Sequence, residues 1–149
     1  MSIVRIQFIR LSTNALLPAR QSTNAAGYDI YAALDAPHTL ARGAIFPVPT
    51  GIALEISAGF HVSIRARSGL AVKHGITPVN SPGTIDADYR GEIFVPLINL
   101  GSEAFTIHHG DRIAQLLLEK TYDIEWQEVD TLTNTTRGDG KFGSTGLAR

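Results

Sequence analysis

The sequence predicts an all-β fold, a sandwich or jelly roll with one short helix. Three observations carry that prediction. Apolar residues recur with a period of two along most of the chain, only one window has helical character, and fourteen glycines and seven prolines divide the rest into short segments. The 149 residues and 16.0 kDa suit one domain. Size scaling gives a folded surface of about 7,400 Å² against roughly 23,000 Å² for the extended chain, so a hydrophobic core needs no staples.

The elements follow in order. Val4, Ile6 and Phe8 alternate with Arg5 and Gln7, and Ile52, Leu54 and Ile56 with Ala53 and Glu55. Phe60, Val62, Ile64 and Ala66 alternate with His61, Ser63, Arg65 and Arg67; Ile93, Val95 and Leu97 repeat the pattern, as do Ile124 and Trp126. Each reads as a half-buried strand. Turn clusters separate them at Ala41–Gly43, Pro49–Gly51, Ser81–Gly83, Leu100–Ser102 and His109–Asp111. Ser68–His74 is the helical window, with Ser68 as expected N-cap and Gly75 as the expected residue past its end. The alternation stops at Val129. We therefore expect a folded domain over 1–130 and a glycine-rich C-terminal arm over 131–149.

Composition excludes several classes of function. Lys+Arg is 13 and Asp+Glu is 14, a formal charge of −1, so the basic footprint of a nucleic-acid polymer binder is missing. Without cysteine there is no disulfide, thiolate metal site or cysteine nucleophile. No apolar run approaches the roughly 20 residues of a membrane span, and Arg5 and Arg10 interrupt the N-terminal apolar segment where a signal peptide needs its core. A soluble, cytoplasmic protein with no membrane partner is expected. The five histidines are scattered or, at His108-His109, adjacent, and no zinc spacing occurs. Phosphate-loop and nucleophile-elbow patterns are missing too.

Three segments and the arm carry possible chemistry. Arg65-Ala66-Arg67-Ser68-Gly69-Leu70-Ala71 delivers an arginine to a helix start, where free backbone N–H groups suit phosphate; a plain strand-to-helix turn with a solvated arginine explains the same residues. In Val79 to Gly91, Asp86 and Asp88 stand at i and i+2, on one side of an extended segment. They suit a general base or an oxygen-ligated cation, and equally a polar hairpin making turn hydrogen bonds. Gln115 interrupts the apolar strand Ile113–Leu118, and a buried amide there needs partners. The arm, Arg137 to Gly146, combines an arginine, an aromatic ring and two hydroxyls on glycine-rich backbone, parts that fit an anionic, ring-bearing ligand if the arm orders on binding.

Five segments in this order resemble the motifs of the trimeric dUTP diphosphatase (dUTPase) family: Ala25-Ala26-Gly27-Tyr28-Asp29-Ile30-Tyr31-Ala32, Arg67-Ser68-Gly69-Leu70-Ala71, Gly83 to Gly91, Gly110-Asp111-Arg112-Ile113-Ala114-Gln115, and Arg137 to Gly146. The resemblance implies a jelly-roll-like subunit in a homotrimer whose active sites lie between subunits. It implies hydrolysis of dUTP to dUMP and pyrophosphate, with Mg2+ held mainly by the triphosphate. In such enzymes one subunit supplies the phosphate motifs, a second the base-reading hairpin, and a third the arm. Asp86 is similar to the aspartate that activates the attacking water. Asn80, with the backbone of Gly83, Thr84, Ile85 and Asp86, resembles the uracil-reading hairpin, and Tyr89 the aromatic that packs on deoxyribose and excludes a 2′-hydroxyl. Arg67, Ser68, Gly69 and Gln115 correspond to phosphate contacts, and Asp29 to an aspartate near the metal's water shell. In the arm, Arg137 resembles an arginine that reaches the γ-phosphate. Phe142 resembles a ring over the uracil, followed by Gly143 and by Ser144 and Thr145 as phosphate donors. Ala66 stands where the family often has proline, and Lys141 where it often has glycine. Two competing readings are a dCTP deaminase of the same fold, which needs a glutamate at the pyrimidine, and a trimer that binds nucleotide without turnover.

Overall fold

The structure, a computed structural model, describes residues 3–141. Eleven strands and one helix follow each other as β1 (Gln7–Arg10), β2 (Tyr28–Tyr31), β3 (His38–Leu40), β4 (Ile45–Pro49), β5 (Ile52–Glu55), β6 (Phe60–Arg65), α1 (Ser68–His74), β7 (Ile76–Pro78), β8 (Gly83–Ile85), β9 (Phe94–Asn99), β10 (Phe105–Ile107) and β11 (Arg112–Lys120). They form a four-stranded sheet β2-β11-β6-β8, a three-stranded sheet β4-β9-β7 and two pairs, β1-β5 and β10-β3, all antiparallel. The result is the all-β, jelly-roll-like architecture expected. Its core is aliphatic: Ile30, Leu40, Val48, Ile52, Val62, Ile76, Ile93, Val95, Leu97, Ile107 and Ile113 are fully buried. Among the described residues no helix is long and apolar enough to cross a membrane.

In β9 the period of two holds, with Val95, Leu97 and Asn99 inward. Elsewhere packing overrides it. Ala53 in β5 and Ser63 in β6 are buried although the alternation points them outward, because these strands are covered on both faces. β4 escapes sequence reading since its prolines look like breakers; Pro47 faces Pro96 across the ladder, so two residues without an N–H lie opposite one another. Asn99, the largest buried polar side chain, donates to the carbonyls of Leu40 (2.9 Å) and Glu103 (2.8 Å) and accepts from the Gly101 amide at 2.9 Å. Those bonds fix the loop under the end of α1. There Gly75 has φ +68°, and a Cβ on it would stand 2.3 Å from the Gly101 nitrogen, so no other residue fits.

Four local expectations need correction. Ser68 is the first helical residue and not the cap: Arg67 occupies that position in extended geometry, and no side chain caps the helix. β1 is not half-buried; all four of its residues are exposed, because only its partner β5 reaches the core. No strand forms at Ile124–Trp126, and regular structure ends at Lys120. Ile124 and Trp126 are 67% and 87% exposed, since a strand needs a hydrogen-bonding neighbour and the described chain offers this segment none. Finally, Asp86 and Asp88 do not share an extended segment, for the chain turns at Ala87–Asp88. The total surface of 10,739 Å² exceeds the scaling value of about 7,400 Å² for a compact monomer, and the open stretch beyond Lys120 contributes to the excess.

Candidate active site

The predicted residues fall into two groups. The first is built where β2, β11 and β6 run side by side, with Gln115 opposite Asp29 on one flank and Arg65 on the other. The Asp29 side chain is 3% exposed and must be compensated. Its Oδ2 accepts from Arg112 Nη1 at 3.2 Å, and its Oδ1 accepts from Gln115 Nε2 at 3.3 Å and lies 3.4 Å from Arg67 Nε. Arg67 also donates from Nη1 to the Arg112 carbonyl at 2.8 Å. One carboxylate thus holds two guanidiniums, which leaves the cluster with one surplus positive charge. The amide of Gln115, half-buried and not fully buried as expected, finds its partner here. Ser68 and Gly69 follow Arg67 directly and are exposed.

Arg112 was quoted within a motif but given no role by sequence reasoning. Strict alternation puts residues 112 and 115 on opposite faces of a strand. A register shift between Arg112 and Ala114 resets the phase, as a β-bulge does, and brings both side chains onto Asp29. No sequence signal marks that bulge.

The second group is the hairpin. Asn80 packs its amide over Gly83, 3.1 Å from where a Cβ would be. From β8, with Gly83 buried, Ile85 half-buried and Thr84 exposed, the chain reaches Asp86, which is exposed at the start of a turn closed by the Tyr89 amide donating to the Asp86 carbonyl at 3.2 Å. Tyr89 folds back over Gly91: its hydroxyl donates to the Glu92 carbonyl at 2.8 Å and lies 2.5 Å from an ideal Cβ on Gly91. Arg90 Nη1 donates to the carbonyls of Ala87 and Tyr89.

The chain does not bring Asp86 and Arg67 together. Ile85 pairs with Val62 and Gly83 with Ile64, so Asp86 stands beside His61 while Arg67 lies past the other end of β6. Six residues of strand span roughly 20 Å. Arg137 is exposed, on a turn where the Gly138 amide donates to the Thr135 carbonyl and the Gly140 amide to the Arg137 carbonyl; Phe142, Gly143, Ser144 and Thr145 lie outside the described residues. Among the described residues no group of three or more His, Asp or Glu side chains could hold a metal ion.

A jelly-roll-like domain with an arginine-bracketed aspartate on one sheet and a separate carboxylate hairpin on its edge strand defines the class of β protein to which this chain is compared. The family comparison is specific. The dUTPase profile matches residues 13–146, and the chain belongs to the dUTPase family of nucleotide hydrolases. It is 56% identical over 131 residues to the deoxyuridine 5′-triphosphate nucleotidohydrolase of Desulfotalea psychrophila, covering 88% of this chain and 87% of that one. It is 51% identical over 148 residues to the Rickettsia felis protein of the same name, covering 99% and 100%. Among solved structures it is similar to a mutant dUTPase of Staphylococcus bacteriophage 80alpha with dUpNHpp, at TM-score 0.84 and 26% identity over 96% of this chain and 99% of that one. In fold it also matches a mutant dUTPase of phage phi11 of S. aureus, described for the coordination of a structural Mg(II) ion, at TM-score 0.74 and 24% identity over 86% and 98%.

Proposed function

We propose that this protein hydrolyses dUTP to dUMP and pyrophosphate, removing dUTP and supplying dUMP for thymidylate synthesis, in active sites shared between copies of the chain in a homotrimer. The observation that carries the proposal is the pair of groups just described: a cationic cluster held rigid around Asp29, and Asp86 about 20 Å away along β6. The phosphate contacts and the base cannot act on one substrate within a single chain, so the hairpin of a second copy supplies Asp86 to the Arg67 cluster of the first. The exposed apolar alternation Tyr122, Ile124, Trp126 supports the same reading, because it resembles a strand whose partner belongs to another copy.

In this mechanism Arg67, Ser68, Gly69 and Gln115 bind the phosphates, with Asp29 and Arg112 fixing Arg67. Asp86 accepts a proton from a water molecule as that water attacks the α-phosphorus, and pyrophosphate departs. Asn80 and the backbone of Gly83 to Asp86 read the uracil, and Tyr89 lies against the deoxyribose. Arg137 adds charge at the γ-phosphate; Phe142, Gly143, Ser144 and Thr145 close over the substrate. The donor set fits Mg2+ arriving on the triphosphate: Asp29 is committed to two arginines and an amide, which leaves the metal to substrate oxygens and water, with Asp29 touching that water shell at most. When bound, Mg2+ neutralises charge on the triphosphate.

Glu92, the glutamate that follows the hairpin in sequence, has its carboxylate tied to a backbone amide of the 49–51 turn, which supports the diphosphatase over the deaminase reading. The test is to supply Mg2+ with dUTP, dTTP, dCTP or UTP separately and measure pyrophosphate and ammonia. Pyrophosphate from dUTP alone is expected. Ammonia from dCTP would move the protein to the deaminase reading, and binding of dUTP without either product would leave only a nucleotide-binding protein.

A further inference from the structure

The chemistry above gives Glu92 no role, yet this residue ties the scaffold with its side chain and the hairpin's Tyr89 with its carbonyl. Its side chain is half-buried, and Oε1 accepts from the Gly51 amide at 2.8 Å. Gly51 is itself immobile: it is buried, it has φ +67°, and the Ser12 hydroxyl and the Cβ atoms of Ala15 and Ala33 stand within 3.2 Å of the position a Cβ would take. Its carbonyl accepts from the Leu11 amide at 2.7 Å. Without Glu92 the Gly51 N–H has no acceptor in a place water does not reach freely. The backbone carbonyl of the same Glu92 accepts the Tyr89 hydroxyl at 2.8 Å. Beyond it, Ile93 continues the attachment, donating to Ile52 at 2.9 Å and accepting from the Thr50 hydroxyl at 2.7 Å. The hairpin's other charged tie to this region is Arg90 to Glu55, 3.9 Å apart and more than half exposed at both ends, which fixes little.

We infer that Glu92 is a positioning residue: its carboxylate clamps the hairpin to the Gly51 turn, its carbonyl holds the Tyr89 ring, and the clamp thereby sets the discrimination between deoxyribose and ribose triphosphates. The inference rests on the role proposed above for Tyr89. A wall excludes one hydroxyl only if it stays in place, because a displacement of about 1 Å makes room for a small polar group.

The experiment compares wild type, Glu92→Leu, Glu92→Gln and Tyr89→Ala, reading kcat and KM for dUTP and for UTP beside a thermal melt. Glu92→Leu keeps bulk but removes the acceptor; its preference for dUTP over UTP should fall about tenfold or more, chiefly through KM. Glu92→Gln keeps an oxygen for the Gly51 amide and should restore the preference. A merely structural role would lower the melting temperature and leave the ratio alone, and that result overturns the inference; so does a Gln variant as unselective as Leu. If Glu92→Leu fails to fold, Glu92→Ala, which opens the Gly51 amide to water, carries the same comparison. A wild type that does not distinguish dUTP from UTP, or a Tyr89→Ala variant that still does, would instead retire the Tyr89 reading and the clamp's function with it.

Discussion

Asp29 and Asp86 are the same residue type in one chain, and the fold treats them in opposite ways. Asp29 sits mid-strand with its side chain 3% exposed and accepts or faces donors from Arg67, Arg112 and Gln115. Asp86 stands exposed at a turn, and among the described residues no side-chain hydrogen bond or ion pair holds its carboxylate. A carboxylate locked by two guanidiniums is a good anchor; one left open at a hairpin is free to orient water. On the proposed mechanism, the difference separates an anchor assembled by folding from a carboxylate left open for water and substrate.

Making the same substitution at both positions tests that division, and the larger effect on catalysis belongs to Asp86. Asp86→Asn preserves shape and removes the base, so turnover of dUTP should drop by about 10³–10⁴, the scale of general-base catalysis, while the urea unfolding midpoint and dUTP binding stay near wild type. Near-normal turnover in this variant would sink the proposed mechanism. Asp29→Asn should behave differently. It leaves two arginines without their counter-charge, and the loss should be about 2 kcal/mol of unfolding free energy, below the figure for a fully buried pair because Arg67 and Arg112 are 25% and 42% exposed. Its KM for dUTP should rise as Arg67 loses its anchor. If Asp29→Asn lost turnover alone, with stability and KM unchanged, Asp29 would belong with Asp86 in the chemistry.

The arm provides the next comparison. Everything from Tyr122 to Asp139 is exposed, so deleting residues from Thr136 onward removes no core contact among the described residues. The truncated protein should fold with an unchanged melting temperature, while turnover falls roughly a hundredfold, the scale of losing correct substrate placement. A truncation that unfolds would make the arm structural.

How far the sequence reveals these regions depends on where each interaction partner lies. β5, β6 and β9 are legible because their apolar alternation and most of their burial belong to the same short segment. Asp86 is a candidate from its own turn segment, since a turn is local, whereas Asn80 is one only through the family resemblance. Arg112 is not, because its role depends on a bulge that no residue type announces. The Ile124–Trp126 alternation is a strand pattern, yet pattern alone cannot supply the hydrogen-bonding neighbour that the described chain does not offer. Ser68 was misplaced at the cap since a serine before a helical window suits either the cap or the first turn; the extended backbone of Arg67 decides it.

The smallest expected effect is also the most local. Tyr89 lies directly over Gly91, and an alanine there would place its Cβ 2.5 Å from the phenol oxygen and 2.7 Å from Cζ. Those atoms are the far end of a half-exposed ring, which moves more cheaply than backbone, so Gly91→Ala should cost about 1 kcal/mol of stability or less. The ring's shift breaks its bond to the Glu92 carbonyl and tilts the surface offered to the sugar. Hydrolysis of dUTP should therefore slow only a few-fold, with the chemistry of Asp86 intact, whereas UTP should become a measurably better competitor. Comparing kcat/KM for the two nucleotides decides it: a variant that slows on both equally would show that the Tyr89–Gly91 contact orders the hairpin as a whole and does not select the sugar.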